Sequence, residues 1–251
     1  MNNIKAVFIK QFQSLLKNPV MLAQALFYLV LILIITFLVG TNDDIECHVC
    51  IPAYVCATCL EANPPLDVPT PSITGLFTVL FVGLAMVGAA SALVVEDKTT
   101  KNLRFMTMAK VKPKEYLIGT AASMASLSFV VLLLFAIVGR YFGVQMLWFM
   151  AVTGFGAVVS MLFGITLGLS KYPYLTTPLS LIVGMGPMLS SFNETLAHAL
   201  RFTYTQQINL AVSDFHSGYP LDLTNNFLII GANGLVVLVL FVWMLRKGSL
   251  D

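Results

Sequence analysis

The chain alternates long apolar runs with short polar interruptions. Six runs stand out: Val20–Gly40, Ile73–Val95, Leu117–Gly139, Met146–Leu169, Tyr174–Phe192 and Phe227–Leu245. A helix needs about 20 residues to cross the ~30 Å hydrocarbon layer. In lipid each backbone donor and acceptor must be satisfied within the segment, which a helix does by itself. The pattern therefore predicts an all-α polytopic membrane protein with six transmembrane helices. The fifth run is the least regular, because Pro178 and Pro187 interrupt it and proline removes a helix donor. Residues 1–19 follow a different period. Ile4, Phe8, Phe12, Leu15 and Leu16 share one helical face, and Lys5, Lys10, Gln13 and Lys17 lie elsewhere. A helix of this kind lies in the membrane interface rather than across it, and Asn18-Pro19 then turns the chain into the first span. That span has no small-x-small cleavage site behind it, so it is expected to be retained.

The connections are unequal. Arg140–Gln145 is a short outer turn and Ser170–Tyr174 a short inner one, which leaves 41–72 and 193–226 as the substantial outer segments. Phe192, Leu196, Leu200 and Ile208 fall on one face of the second segment, with Asn193, Glu194 and His198 toward the other side. The stretch is long enough to cross the bilayer. However, it carries Glu194, Arg201, Asp214 and two histidines, and a crossing would leave the final "RKGSLD" outside. It is expected instead to form paired helical pieces, a re-entrant lid between spans five and six. Gly164-Ile-Thr-Leu-Gly168 is a small-xxx-small pattern that permits close helix approach; packing inside one bundle is expected, in preference to a dimer seam.

Composition agrees with the pattern. Of 251 residues, 58% are hydrophobic and 10% charged, against about 25% charged in a soluble domain. A net charge of +2 gives no reason to expect a nucleic-acid partner. Position matters more than the sum. With both termini inside, Lys5, Lys10, Lys17, six residues between Lys98 and Lys114, Lys171, Arg246 and Lys247 face the cytoplasm, leaving only Arg140 and Arg201 outside. That is the orientation the positive-inside bias favours, in the plasma membrane with both termini cytoplasmic.

Candidate chemistry is sparse. Within the six runs there is no Asp, Glu, Lys, Arg or His. Ion-coupled carriers and proton pumps need such groups at membrane depth, and so does an intramembrane acid–base pair. The chain also lacks a GxxxxGK[ST] phosphate loop, so it does not bind ATP by that route. Glu194 and His198 lie one helical turn apart, but HExxH needs a second histidine; the polar face of an outer helix is the expectation, with no metal. Cys47, Cys50, Cys56 and Cys59 form CxxC-x5-CxxC in the first outer segment. Disulfides are the default on an oxidising face, with zinc and free thiols as the alternatives. Three pairings are open; Cys47–Cys59 with Cys50–Cys56 would staple a small hairpin.

One polar stretch interrupts the apolar pattern, "EDKTTKNLRFMTMAKVKPKEYLIGT" from Glu96 to Thr120, which holds six of the fourteen basic residues. Thr99 or Thr100 is expected to cap a short helix carrying Leu103, Phe105, Met106 and Met108 among Lys98, Arg104 and other basic residues, and Pro113 to restart the chain into span three. A solvated loop would explain the charges but not the apolar side chains, which suit docking into a groove on a soluble partner.

With these features the chain resembles the type-2 permeases of ATP-binding cassette exporters along its whole length. Glu96, Leu103, Phe105, Met106, Pro113, Tyr116, Leu117 and Gly119 occupy positions of that family's coupling loop, and "YPYLTTPLSLIVGMGPMLSSFNETL" is the second local likeness. Two departures stand out: Thr99-Thr100 replaces the family's common Gly-Thr turn, and the outer cysteine segment is unusually long. The resemblance implies a single transmembrane domain over 1–251, with an elbow helix (1–19), a coupling loop (96–116) and an outer re-entrant segment (193–226). It also implies two copies of a separate ATPase subunit that bind ATP and magnesium, a second permease copy (identical or sibling), and no cofactor in this chain. The expected cargo is amphipathic or lipophilic, a peptide toxin, antimicrobial peptide or drug. The alternatives are a membrane-embedded enzyme or protease using Glu194 and His198, and an immunity or sensor protein that transports nothing.

Overall fold

The computed structural model describes residues 2–17, 26–34, 73–100, 113–170, 173–190, 193–217 and 223–246. These residues are helical apart from short turns, and no strand occurs among them. Helix α1 (Asn2–Lys17) is followed by α2 over residues 26–34. Helix α3 (Ile73–Leu80), a π-helical turn (Phe81–Ala85) and α4 (Met86–Thr99) run on as one rod. Then come α5 (Pro113–Val138), α6 (Val144–Leu169), a 3₁₀ turn (Pro173–Leu175) and α7 (Thr176–Ser190). Helices α8 (Glu194–Leu200), α9 (Tyr204–Ser217) and α10 (Leu223–Arg246) complete the chain.

Among the described residues, four helices are long and apolar enough to cross a membrane: Thr74–Thr99, Glu115–Val138, Val144–Leu169 and Thr224–Met244. These are the second, third, fourth and sixth predicted spans. Most of the first predicted span lies outside the described residues, although Tyr28 and Ile32 of α2 are buried in the core. The fifth gives α7, which at 15 residues falls short of the usual span length.

Backbone proximity holds the bundle together. Bringing apolar helices together in lipid gains little hydrophobic energy, so close van der Waals contact must supply the attraction. Helix α6 lies along α4 through Gly164 and Gly168. A Cβ at Gly164 would stand 2.4 Å from the Val87 carbonyl oxygen, and one at Gly168 would stand 2.9 Å from that of Ser91. The small-xxx-small pattern is thus satisfied inside one chain. A second such contact joins the π turn to α7, where a Cβ on Gly83 would stand 2.7 Å from Gly184 Cα. In that turn the Met86 amide reaches back to Phe81 O, one residue further than in an α-helix. At the opposite end of α5, a tight turn puts Arg140 at φ +55° and Gly143 at φ +63°. Tyr141 closes that turn by stacking on Phe149, with centroids 4.9 Å apart.

Candidate functional site

The C-terminus of α4, the N-terminus of α5, the C-terminus of α6 and the N-terminus of α7 gather at one end of the bundle, where α1 meets α4 and α5. This end is tied by charge. Ala90, Val94 and Asp97 are spaced three to four residues apart, so Asp97 continues the inward face of α4 while Glu96 points out. The Asp97 side chain is buried, with 5% of the residue exposed. Its Oδ2 accepts from Gln11 Nε2 at 2.5 Å and from Tyr116 Oη at 2.7 Å, and Lys10 Nζ lies 3.5 Å from Oδ1. Hydrogen bonds to a charged group contribute about 1.5–3 kcal/mol each. The half-exposed Lys10 adds less, under about 1 kcal/mol. One carboxylate therefore joins α1, α4 and α5. Apolar contact supports the joint: Gly119 of α5 leaves just enough room for Val7 of α1, since a Cβ there would stand 2.7 Å from Val7 Cγ1.

The neighbouring residues fix the same end. Lys98 Nζ donates to Leu169 O at 3.1 Å and Ser170 O at 3.3 Å, placing a cation on the negative end of α6. Ser91 Oγ and Thr176 Oγ1 share a hydrogen bond of 2.9 Å between α4 and α7. The Thr99 and Thr100 hydroxyls both donate to Glu96 O, at 2.9 and 2.7 Å. The short helix that either threonine was expected to cap lies outside the described residues. The two threonines close the C-terminus of α4, because the helix continues past Val95 and leaves carbonyls there to be satisfied.

The other end of the bundle is tied by neutral groups. Asn193 caps α8, its Oδ1 accepting from Thr195 N at 3.0 Å and Leu196 N at 3.3 Å. Glu194 opens α8 and His198 lies exposed in its last turn. Helix α9 departs from the amphipathic expectation. Ile208, Ala211 and Val212 are buried on it, but so are Thr205, Gln206, Gln207, Asn209 and Ser213. Its polar groups find partners on other helices: Tyr204 Oη pairs with Ser160 Oγ at 2.9 Å, and Gln206 Oε1 accepts from Ser190 Oγ at 2.8 Å. Asn209 Oδ1 is buried with no hydrogen-bond partner among the described residues. Partial burial holds the Asp214 carboxyl above the ordinary carboxylate range. A cavity of about 170 Å³ lies here, lined by Phe163, Ile182, Pro187, Leu200, Tyr204 and Asn233 among others.

Of the expected docking residues, Glu96 and Lys98 are described, whereas Leu103, Arg104, Phe105 and Met106 lie outside the described residues, as do Cys47, Cys50, Cys56 and Cys59. Sequence reasoning missed Asp97, Gln11 and the buried polar stripe of α9. The helical spacing from Ala90 and Val94 was the signal available for Asp97.

The described helices and their polar ties define a polytopic helical membrane protein with an amphipathic helix bound at one end of its bundle. The family model of the ABC-2 type transporter matches residues 2–193, and the chain belongs to that family. It is accordingly an ABC transporter permease subunit, a membrane component of a family that works with ATPase subunits. Helices α8 to α10 follow the matched stretch. No curated protein matches the chain.

Proposed function

We propose that this permease works as an exporter of an amphipathic or lipophilic substrate, a peptide toxin, antimicrobial peptide or drug. It acts as a pair of permease copies driven by two ATPase subunits. The observation that carries the reading is the placement of charge. The described ionic ties gather at the α1 end, beside residues 101–112, and the rods leading away from it are apolar. That is the end at which an ATPase would push, so it is assigned to the cytoplasm, with both termini there and the protein in the plasma membrane. ATP binding closes the ATPase pair, and a coupling helix carrying Leu103, Arg104, Phe105 and Met106 passes the motion to α4 and α5.

The substrate route runs between the two copies. Helices α8 and α9 form the re-entrant lid at its exit, with Asn193, Glu194 and His198 near the outer water boundary.

Co-purification tests the docking. Replacing Phe105 and Met106 together with Asp places charge in an apolar groove, at roughly 2–5 kcal/mol if that groove is dry. The ATPase should be lost while the permease still inserts. ATPase recovery equal to that of the unaltered protein removes the coupling-helix assignment.

A further inference from the structure

The hub at Asp97 raises a question of mechanics that docking alone does not answer. Asp97 precedes residues 101–112 by one helical turn, and Tyr116 follows them by one turn. The Tyr116 hydroxyl and the Gln11 amide meet on the same oxygen of Asp97. Gln11, Asp97 and Tyr116 are each at most 5% exposed, so water does not compete for these bonds. The second anchor of helix α1, Val7 against Gly119, lies on α5.

We propose that Asp97 is a positioning residue for energy coupling. Its carboxylate clamps the two helices that flank residues 101–112, together with the interfacial helix α1, into one body, so that a push on that stretch displaces α1, α4 and α5 together. Without the carboxylate, α1 keeps its packing on α5 but no longer follows α4. Lys10, half exposed, keeps the carboxylate's second oxygen oriented toward α1. Glu96, one residue away but facing outward, has no part in the clamp. This inference rests on the permease reading above.

Spin labels at Ile9 on α1 and Ala92 on α4, both exposed positions, report the distance across the clamp. The full chain with its co-purified ATPase is measured in lipid vesicles, without nucleotide and after trapping with ATP and vanadate. In the unaltered protein the distribution should be narrow and identical in the two states. Asp97→Asn should broaden it without nucleotide and shift it to longer distances on trapping, with the ATPase still bound. Tyr116→Phe, which removes one hydroxyl and conserves the ring, should show the same trapping-dependent shift in smaller measure, and it decides the matter if Asp97→Asn fails to fold. A purely structural role would broaden both states equally, with no added shift, and this result overturns the coupling role. Distributions in both variants that match the unaltered protein overturn the clamp itself. If no ATPase accompanies the unaltered protein, the permease reading is what fails; the nucleotide-free distribution then judges the clamp, and its link to ATP is lost.

Discussion

Replacing Gly164 with Ala isolates the packing energy of the α4–α6 contact. The new Cβ would stand 2.4 Å from Val87 O and 2.7 Å from Ala90 Cβ. Ordinary contact begins at 3.4 Å, so the rods must part by about 1 Å at this crossing. The obstructing atom is a helical carbonyl oxygen, which cannot rotate away as a side chain would. A gap of that size forfeits a quarter to a half of the dispersion well for each facing pair, and overpacked interiors lose about 1–3 kcal/mol. Against this stands the gain of about 1 kcal/mol that Ala brings over Gly in any helix interior. Gly154, in the same helix with nothing within 4 Å of its Cβ position, supplies the control, since Gly154→Ala takes the same gain without the clash. The difference between the two variants is therefore the packing term alone. At the conversion usual for 150–250-residue domains it corresponds to a melting temperature roughly 2–12 °C lower for Gly164→Ala than for Gly154→Ala. Thermal unfolding of both proteins in the same detergent, followed by loss of the monodisperse fraction, measures it. Equal shifts for the two would refute the claim that α4 and α6 meet backbone to backbone.

Two further outcomes follow from the sequence. Non-reducing peptide mapping should find Cys47, Cys50, Cys56 and Cys59 oxidised, with Cys47–Cys59 and Cys50–Cys56 the favoured pairs; four alkylatable thiols in native membranes, or stoichiometric zinc, would overturn this. A cysteine introduced at Gly218 should react with an impermeant reagent applied outside, and one at Ser249 only after the membrane is opened. Labelling of Ser249 in intact cells would mean that the 193–217 stretch crosses the membrane and forms no lid.

Much of this architecture was legible in the hydrophobic pattern, because that pattern is itself the cause of the structure. The four long rods follow their apolar runs, and α1 is helical, but its buried line runs through Val7, Gln11 and Leu15 and leaves Leu16 of the expected face exposed. Gly164 and Gly168 were legible as a contact because their spacing leaves a flat helical face. Asp97 was not. Hydropathy ends a span at the first charge, whereas helix hydrogen bonding does not, so the boundary drawn at Val95 cut the carboxylate off from the face on which it lies. The α9 stripe was hidden for a different reason. Gln206 and Tyr204 are buried because Ser190 and Ser160, on other helices, answer them, and no local period announces a partner 16 or 44 residues away. Nor does anything in Phe81–Ala85 mark a π turn. It coincides with the place where Gly83 meets Gly184, which is a property of two helices together.

The ties differ in strength along the bundle, and the difference has a direction. At the α1 end, helices are joined through charged groups, Asp97 to α1 and α5 and Lys98 to α6. At the other end the joints of α9 are neutral, Tyr204 with Ser160 and Gln206 with Ser190, worth about 0.5–1.5 kcal/mol each. Asn209 Oδ1, buried without a hydrogen-bond partner among the described residues, adds no joint there. Between the two ends α7 meets the π turn backbone to backbone, where a Cβ on Gly83 would stand 2.7 Å from Gly184 Cα. A push delivered at the charged end would be transmitted with little loss and would open the neutral end first. This ordering suits a machine that is energised on one face of a membrane and opens on the other.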